Sequence, residues 1–168
     1  MNLRDHNRML EGKREEITAW MKAKRNEVAI PIYGSVDVRD AGWKIGVVDA
    51  NHFPAGFNNV SKENLAELSL LFKEHVHRSH PNCRWVHIYP ESHTRNQGYV
   101  ENISSIKAMI EEAGFLCTVG SPDLNGLHAM SGLSGPLVLE EVELNDNDEL
   151  TVGGKIPDLM LLNNDLTD

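Results

Sequence analysis

The chain has 168 residues, a formal charge of −9 and 40% hydrophobic residues, with three tryptophans and two cysteines. That length suits one domain with a buried core, and the apolar content excludes a disordered chain. No apolar run approaches a membrane span, the first residues are charged and helical rather than signal-like, and no basic stripe follows a phosphate backbone, so membrane insertion and nucleic-acid binding are both disfavoured.

In chain order, residues 3–25 read as one amphipathic helix, with Leu10, Ile17, Trp20, Met21 and Lys24 near one stripe. Strands are predicted at 30–38 and 44–48. Ser61 is the N-cap of the next helix, whose stripe is Leu65, Leu68, Phe72 and Val76 and which Pro81 closes. Residues 84–89 read as a strand ending at Pro90. Tyr99, Ile103, Ile106, Ile110 and Ala113 mark a helix stopped by Gly114, and a short strand follows at 115–119. Residues 120–136, rich in Gly, Ser, Pro and Asn, read as a long loop. Residues 137–144 and 150–152 resemble a hairpin turning at 145–148, and 159–162 is a last apolar strand.

Strands alternating with helices predict an α/β domain spanning 1–168: an open, mostly parallel sheet with flanking helices, and a β-hairpin near the C-terminus. The charge is uneven. In residues 137–168 nine acidic side chains stand against Lys155 alone, most simply as a solvated hairpin, and the rest of the chain is near neutral. Cys83 and Cys117 lack the spacing of a metal or redox motif and read as packing residues in a reducing cytoplasm.

Three polar clusters end or follow predicted strands: residues 37–44, residues 91–96 and residues 163–165. In open α/β sheets the carboxyl ends of strands line the ligand crevice, so parallel strands would bring all three to one edge. In an extended 32–39, Ser35, Asp37 and Arg39 share one face, and Val36 and Val38 share the other, against a core. Arg39, Lys44 and Arg95 suit carboxylates. Asp37, Asp49 and Glu91 suit an ammonium group, and Asn51, Asn58, Asn59, Asn96 and Asn164 offer donors and acceptors. His93 joins them by its company. The mixture suits a zwitterionic amino acid better than a sugar or a fat. The bland alternatives are a structural Asp37–Arg39 ion pair and ordinary turn residues at 163–165. His75, His77 and His80 do not share one helix face, which speaks against a metal there.

Three long stretches, Tyr33-Gly-Ser-Val-Asp-Val-Arg-Asp-Ala-Gly-Trp-Lys, Val48-Asp-Ala-Asn-His-Phe-Pro-Ala-Gly-Phe-Asn-Asn and Pro90-Glu-Ser-His-Thr-Arg-Asn, resemble blocks of the proteobacterial glutamate–cysteine ligases of the ATP-grasp-like type. Pro157-Asp-Leu-Met-Leu-Leu-Asn-Asn-Asp-Leu resembles a fourth. The resemblance implies a pre-ATP-grasp-like fold and the ATP-dependent joining of the glutamate γ-carboxylate to cysteine, the first step of glutathione synthesis. It places the substrate contacts on the residues named above.

Nothing in the sequence resembles strands that would hold ATP and Mg²⁺. The expectation is therefore the N-terminal, substrate-side portion of a longer ligase, binding neither alone and completed by an ATP-grasp portion or a partner chain. Homo-oligomerisation stays open. Two rival readings are a non-catalytic amino-acid-binding or partner-docking module and a small metal-dependent hydrolase built on the histidines.

Overall fold

The computed structural model describes residues 2–28, 30–91, 96–122 and 124–164. They fall into two units, Met1–His52 and Phe53–Asp168.

The first unit holds α1 (Leu3–Gly12), α2 (Arg14–Glu27), β1 (Ser35–Asp40) and β2 (Ile45–Asn51). Asn2 caps α1 by accepting from the Asp5 N–H at 2.9 Å. The single helix expected over 3–25 is broken at Lys13, beside Gly12, the poorest helix former in the run. Its apolar stripe does not find a core: Leu10, Ile17, Trp20 and Met21 are all exposed.

β1 and β2 pair antiparallel, which corrects the expectation that they join a parallel sheet. The physical reason is the connection at 41–44. A parallel crossover takes a dozen or more residues, whereas four can only turn back. Gly42 adopts φ +81, a conformation that disfavours side chains, and its N–H donates to Asp40 Oδ1 at 2.7 Å. The register shifts after Asp37, so that Asp37 faces Asp49 while Val38 faces Val47 and Arg39 faces Gly46. This bulge keeps polar and apolar residues on opposite faces. The expected burial of Val36 and Val38 does not occur, since they are 57% and 53% exposed. A core needs a second layer, and none of this unit's described residues is buried.

The second unit runs through α3 (Lys62–Ser79), β3 (Trp85–Pro90), α4 (Gln97–Glu112), β4 (Leu116–Val119), β5 (Ala129–Gly132), β6 (Gly135–Val138), β7 (Val142–Leu144), β8 (Leu150–Val152) and β9 (Leu159–Asn163). Ser61 caps α3 as its sequence predicts, its Oγ accepting from the Asn64 N–H at 3.3 Å. Strands β4, β3 and β9 form a parallel sheet in that order. The remaining described strands pair as antiparallel hairpins, so the fold is mixed α/β rather than mostly parallel.

The core sits where α4 lies on this sheet. Val86, His87 and Ile88 of β3 and Ile103, Ile106 and Ile110 of α4 are fully enclosed, and each such Ile contributes about 1.5–3 kcal/mol by leaving water. The Phe72 and Phe115 rings meet edge to face at 5.9 Å. Asp158 ties the start of β9 to β3, accepting from the Arg84 and Trp85 N–H groups at 2.8 and 2.9 Å. Gly114, at φ +94, ends α4 as expected.

The loop predicted at 120–136 contains most of the β5–β6 hairpin. Its Gly, Ser and Pro content hides the strands, and the turn is fixed from outside by Glu101 of α4. That carboxylate accepts from the Ser134 N–H at 2.6 Å and hydroxyl at 2.7 Å, and these bonds hold its pKa below the usual carboxylate value. The acidic hairpin is β7–β8, turning as predicted, while residues 137–138 belong to β6 instead. No helix of the described residues is long and apolar enough to cross a membrane.

Candidate functional site

The carboxyl edge of the parallel sheet gathers four segments of the second unit. Register pairing of Pro90 with Asn163 sets Glu91, just past β3, level with Asn163 and Asn164 at the end of β9. α4 follows β3 and so begins near this edge. Asn96 caps it, its side chain accepting from the Gly98 N–H at 2.9 Å. No acidic residue lies in the first turn of α4.

The fourth segment is the 3₁₀ turn Phe57–Asn59 with the residues before it. Asn102, fully buried on α4, accepts from the Phe57 N–H at 2.9 Å and donates to the Pro54 carbonyl at 3.4 Å. The Asn163 side chain donates to the same Pro54 carbonyl at 3.4 Å. The Tyr99 hydroxyl donates to the Asn163 carbonyl at 2.7 Å and accepts from the Glu91 N–H at 2.9 Å. These bonds connect the Pro54–Phe57 segment, the end of β3 and the end of β9 to the first two turns of α4. Asn58, Asn59, Glu91 and Asn96 are exposed and Asn164 is half-buried.

Beneath the edge lies a second polar chain. The Trp85 indole donates to Thr118 Oγ1 at 2.9 Å, Thr118 bonds His87 Nδ1 at 2.7 Å, and His87 Nε2 bonds the Gly120 carbonyl at 3.2 Å. A carbonyl only accepts, so Nε2 carries the proton and Nδ1 accepts from the threonine hydroxyl. Burial pushes the His87 pKa down, against the opposing pull of the Gly120 carbonyl, and the imidazole is neutral. Its ring is a bridge between β3 and the end of β4. Burial likewise pushes the Cys117 thiol up to about 12 and raises that of Cys83, where the Asp158 charge adds to the effect. Both cysteines are free and buried, and as thiols they are poor nucleophiles.

The first unit carries the other sequence-predicted group. Ser35 faces Asn51, and Asp37 faces Asp49, on the polar face of the β1–β2 hairpin, with Arg39 next along β1 opposite Gly46. Asp49 accepts from the Asn51 side-chain amide at 2.9 Å. Two carboxylates opposed across strands repel each other, and a cation between them relieves that repulsion. Lys44 lies in the turn, its carbonyl accepting from the Ala41 N–H at 3.0 Å. The expectation that parallel strands bring all three clusters to one sheet edge is thus corrected: of the second and third, Glu91 meets Asn163 and Asn164 there through β3 and β9, and the first sits on an antiparallel hairpin. His93 and Arg95 lie outside the described residues, as do Ser92, Thr94 and Asp165.

Tyr99 and Asn102 escaped the sequence reading. Tyr99 was absorbed into an apolar stripe. Asn102 carried a usable signal, an amide one turn from Tyr99 and one turn from Ile106, where a helix facing a core wants a hydrocarbon. Among the described residues no three His, Cys, Asp or Glu side chains come together to hold a metal ion. His77 instead packs edge-on to Phe115 at 5.4 Å.

Comparison with known proteins bears on what this edge serves. No curated protein matches the chain. A candidate gamma-glutamylcysteine synthetase from Methylobacillus flagellatus KT, crystallised at 1.90 Å, is 30% identical and superposes with a TM-score of 0.82 over 94% of this chain. The match covers 38% of that protein, so the chain spans less than two-fifths of its length. The family model for glutamate-cysteine ligase matches residues 7–168, and all four of the quoted sequence blocks fall inside that range. The chain belongs to the glutamate-cysteine ligase family.

Proposed function

We propose that this chain carries the amino-acid side of an ATP-dependent carboxylate–amine ligase that joins the glutamate γ-carboxylate to the amine of cysteine, the first step of glutathione biosynthesis. The observation that carries the reading is the gathering of Glu91, Asn164, Asn96 and the Phe57–Asn59 turn, all from family-like blocks, at the carboxyl edge of a parallel sheet. In open α/β folds that edge is where small ligands bind. The 38% coverage of the crystallised relative supports reading these residues as the pre-ATP-grasp-like portion of a longer ligase. Two free buried thiols support a reducing cytoplasm as its place.

In this reading Glu91 accepts from a substrate ammonium group, Asn58, Asn59, Asn96 and Asn164 complete the cradle, and His93 and Arg95 join from the same block. On the hairpin, Asp37 and Asp49 accept from a second ammonium with Ser35 and Asn51 beside them, and Arg39 and Lys44 hold carboxylates. ATP, when bound, would supply the phosphoryl group that activates the γ-carboxylate with release of ADP, so that the cysteine amine can form the amide as phosphate leaves. Among the described residues no three His, Cys, Asp or Glu side chains gather where they could hold Mg²⁺ by themselves. The contribution of this chain is orientation: holding carboxylate and amine in a fixed geometry removes an entropic part of the barrier.

Calorimetry tests the reading. L-Glutamate should bind the chain with millimolar to micromolar affinity, and Glu91→Ala should abolish the heat, since a few charge-assisted bonds of about 1.5–3 kcal/mol each account for such affinity. No heat at millimolar glutamate rejects it.

A further inference from the structure

We propose that Asn102 and Tyr99 are positioning residues that hold the amino-acid cradle in its binding geometry from beneath. Both are buried on α4 and neither has a place in the substrate set. Asn102 grips the Pro54–Phe57 segment at both ends, by its carbonyl oxygen on the Phe57 N–H (2.9 Å) and by its amide on the Pro54 carbonyl (3.4 Å). That grip spans 45 residues of sequence and sets the origin of the turn that presents Asn58 and Asn59. Tyr99 does the same for the other side of the cradle. Its hydroxyl bridges the Glu91 N–H (2.9 Å) and the Asn163 carbonyl (2.7 Å), joining the ends of β3 and β9, strands whose side chains beyond this point are proposed contacts.

A hydrocarbon at either position would pack more simply on the stripe of α4. Buried amides and hydroxyls are costly unless every bond is made, and here the bonds made are to the backbone of segments that carry the site. The two residues sit one helical turn apart, so a single rigid element sets the spacing between the Phe57–Asn59 turn and Glu91. The inference rests on the amino-acid reading of the edge, and its test separates the two.

The test is backbone amide hydrogen exchange of the whole chain, read residue by residue, together with L-glutamate titration, at a temperature where circular dichroism shows wild type and variants fully folded. Asn102→Ala should speed exchange of the Phe57 amide about tenfold or more and weaken L-glutamate binding by about tenfold, while the β3 amides keep their protection. Tyr99→Phe keeps the ring and so guards against loss of the fold; it should speed exchange at the Glu91 amide and weaken glutamate in the same way. Wild-type exchange at both amides in the variants overturns the clamp whether or not glutamate binds. Faster exchange with unchanged glutamate affinity overturns the positioning role. A wild-type chain that does not bind millimolar L-glutamate overturns the amino-acid reading instead, and the exchange rates then decide the clamp alone.

Discussion

Val38 and Val86 are the same residue in the same kind of element, yet one is 53% exposed and the other is completely enclosed. The difference between the two units is contained in that pair. Residues 53–164 place α4 on a three-stranded sheet, and the apolar stripe of each closes on the other. Residues 2–52 offer helices with an apolar stripe and a hairpin with an apolar face, and none of the described side chains is enclosed. Pattern prepares a face for burial; only a second layer buries it. An isolated two-stranded hairpin is marginal in water, so the stability of this chain resides in the second unit.

Four measurements break or sharpen that contrast. The largest effect is expected from Ile106→Ala, which leaves a cavity under α4 and should cost about 2–5 kcal/mol in urea unfolding; a loss below about 1 kcal/mol would deny the second unit its core. Gly120→Ala comes next. A Cβ there would stand 1.7 Å from the Glu140 carbonyl oxygen, whose neighbour Glu140 N–H bonds the Val119 carbonyl at 2.8 Å. Moving that connection between β6 and β7 should cost about 1–3 kcal/mol, and a fully stable variant would show that the Glu140 backbone does not pack against Gly120.

The third measurement uses pH. His87 is neutral in the fold with a lowered pKa, so below its ordinary value of about 6.5 the unfolded chain binds the proton that the folded chain refuses. The stability this group contributes is present above that value and is lost as pH falls through the depressed one, with a slope of at most about 1.4 kcal/mol per pH unit. His87→Gln should flatten that decline. Parallel urea midpoints for wild type and variant across the range would contradict a neutral, enclosed imidazole. The smallest effect belongs to Val38→Thr on the hairpin, expected within about 0.5 kcal/mol. If it rivals Ile106→Ala, the contrast between the units fails.

The legible parts of the fold were those set locally. Ser61 announces α3 by its side-chain bond to the helix start, Gly114 ends α4 through its positive φ, and the turn after Leu144 is written in Asn145 and Asp148. The β1–β2 pairing went against the parallel expectation, although the four-residue connection, which admits only a reversal, carried the signal. The β5–β6 hairpin was not, since Gly132, Gly135 and Pro136 are poor strand formers and Glu101, far away in sequence, fixes the turn. In the candidate site, Glu91 and Asn164 stood out by composition after a strand. Asn102 and Tyr99 did not, because a helix stripe hides polar groups whose partners are backbone atoms of other segments.

By itself the sequence determined which polar residues follow strands in clusters, which family the blocks resemble, and where most helices and strands start and stop. Those properties follow from short-range sterics and residue chemistry. Tertiary structure alone decided that Glu91 and Asn163 share a sheet edge, that Asn102 reaches Pro54 and Phe57, and that the valines of β1 remain uncovered. Such juxtapositions join positions tens of residues apart, and they are set by how layers pack rather than by what any one segment prefers.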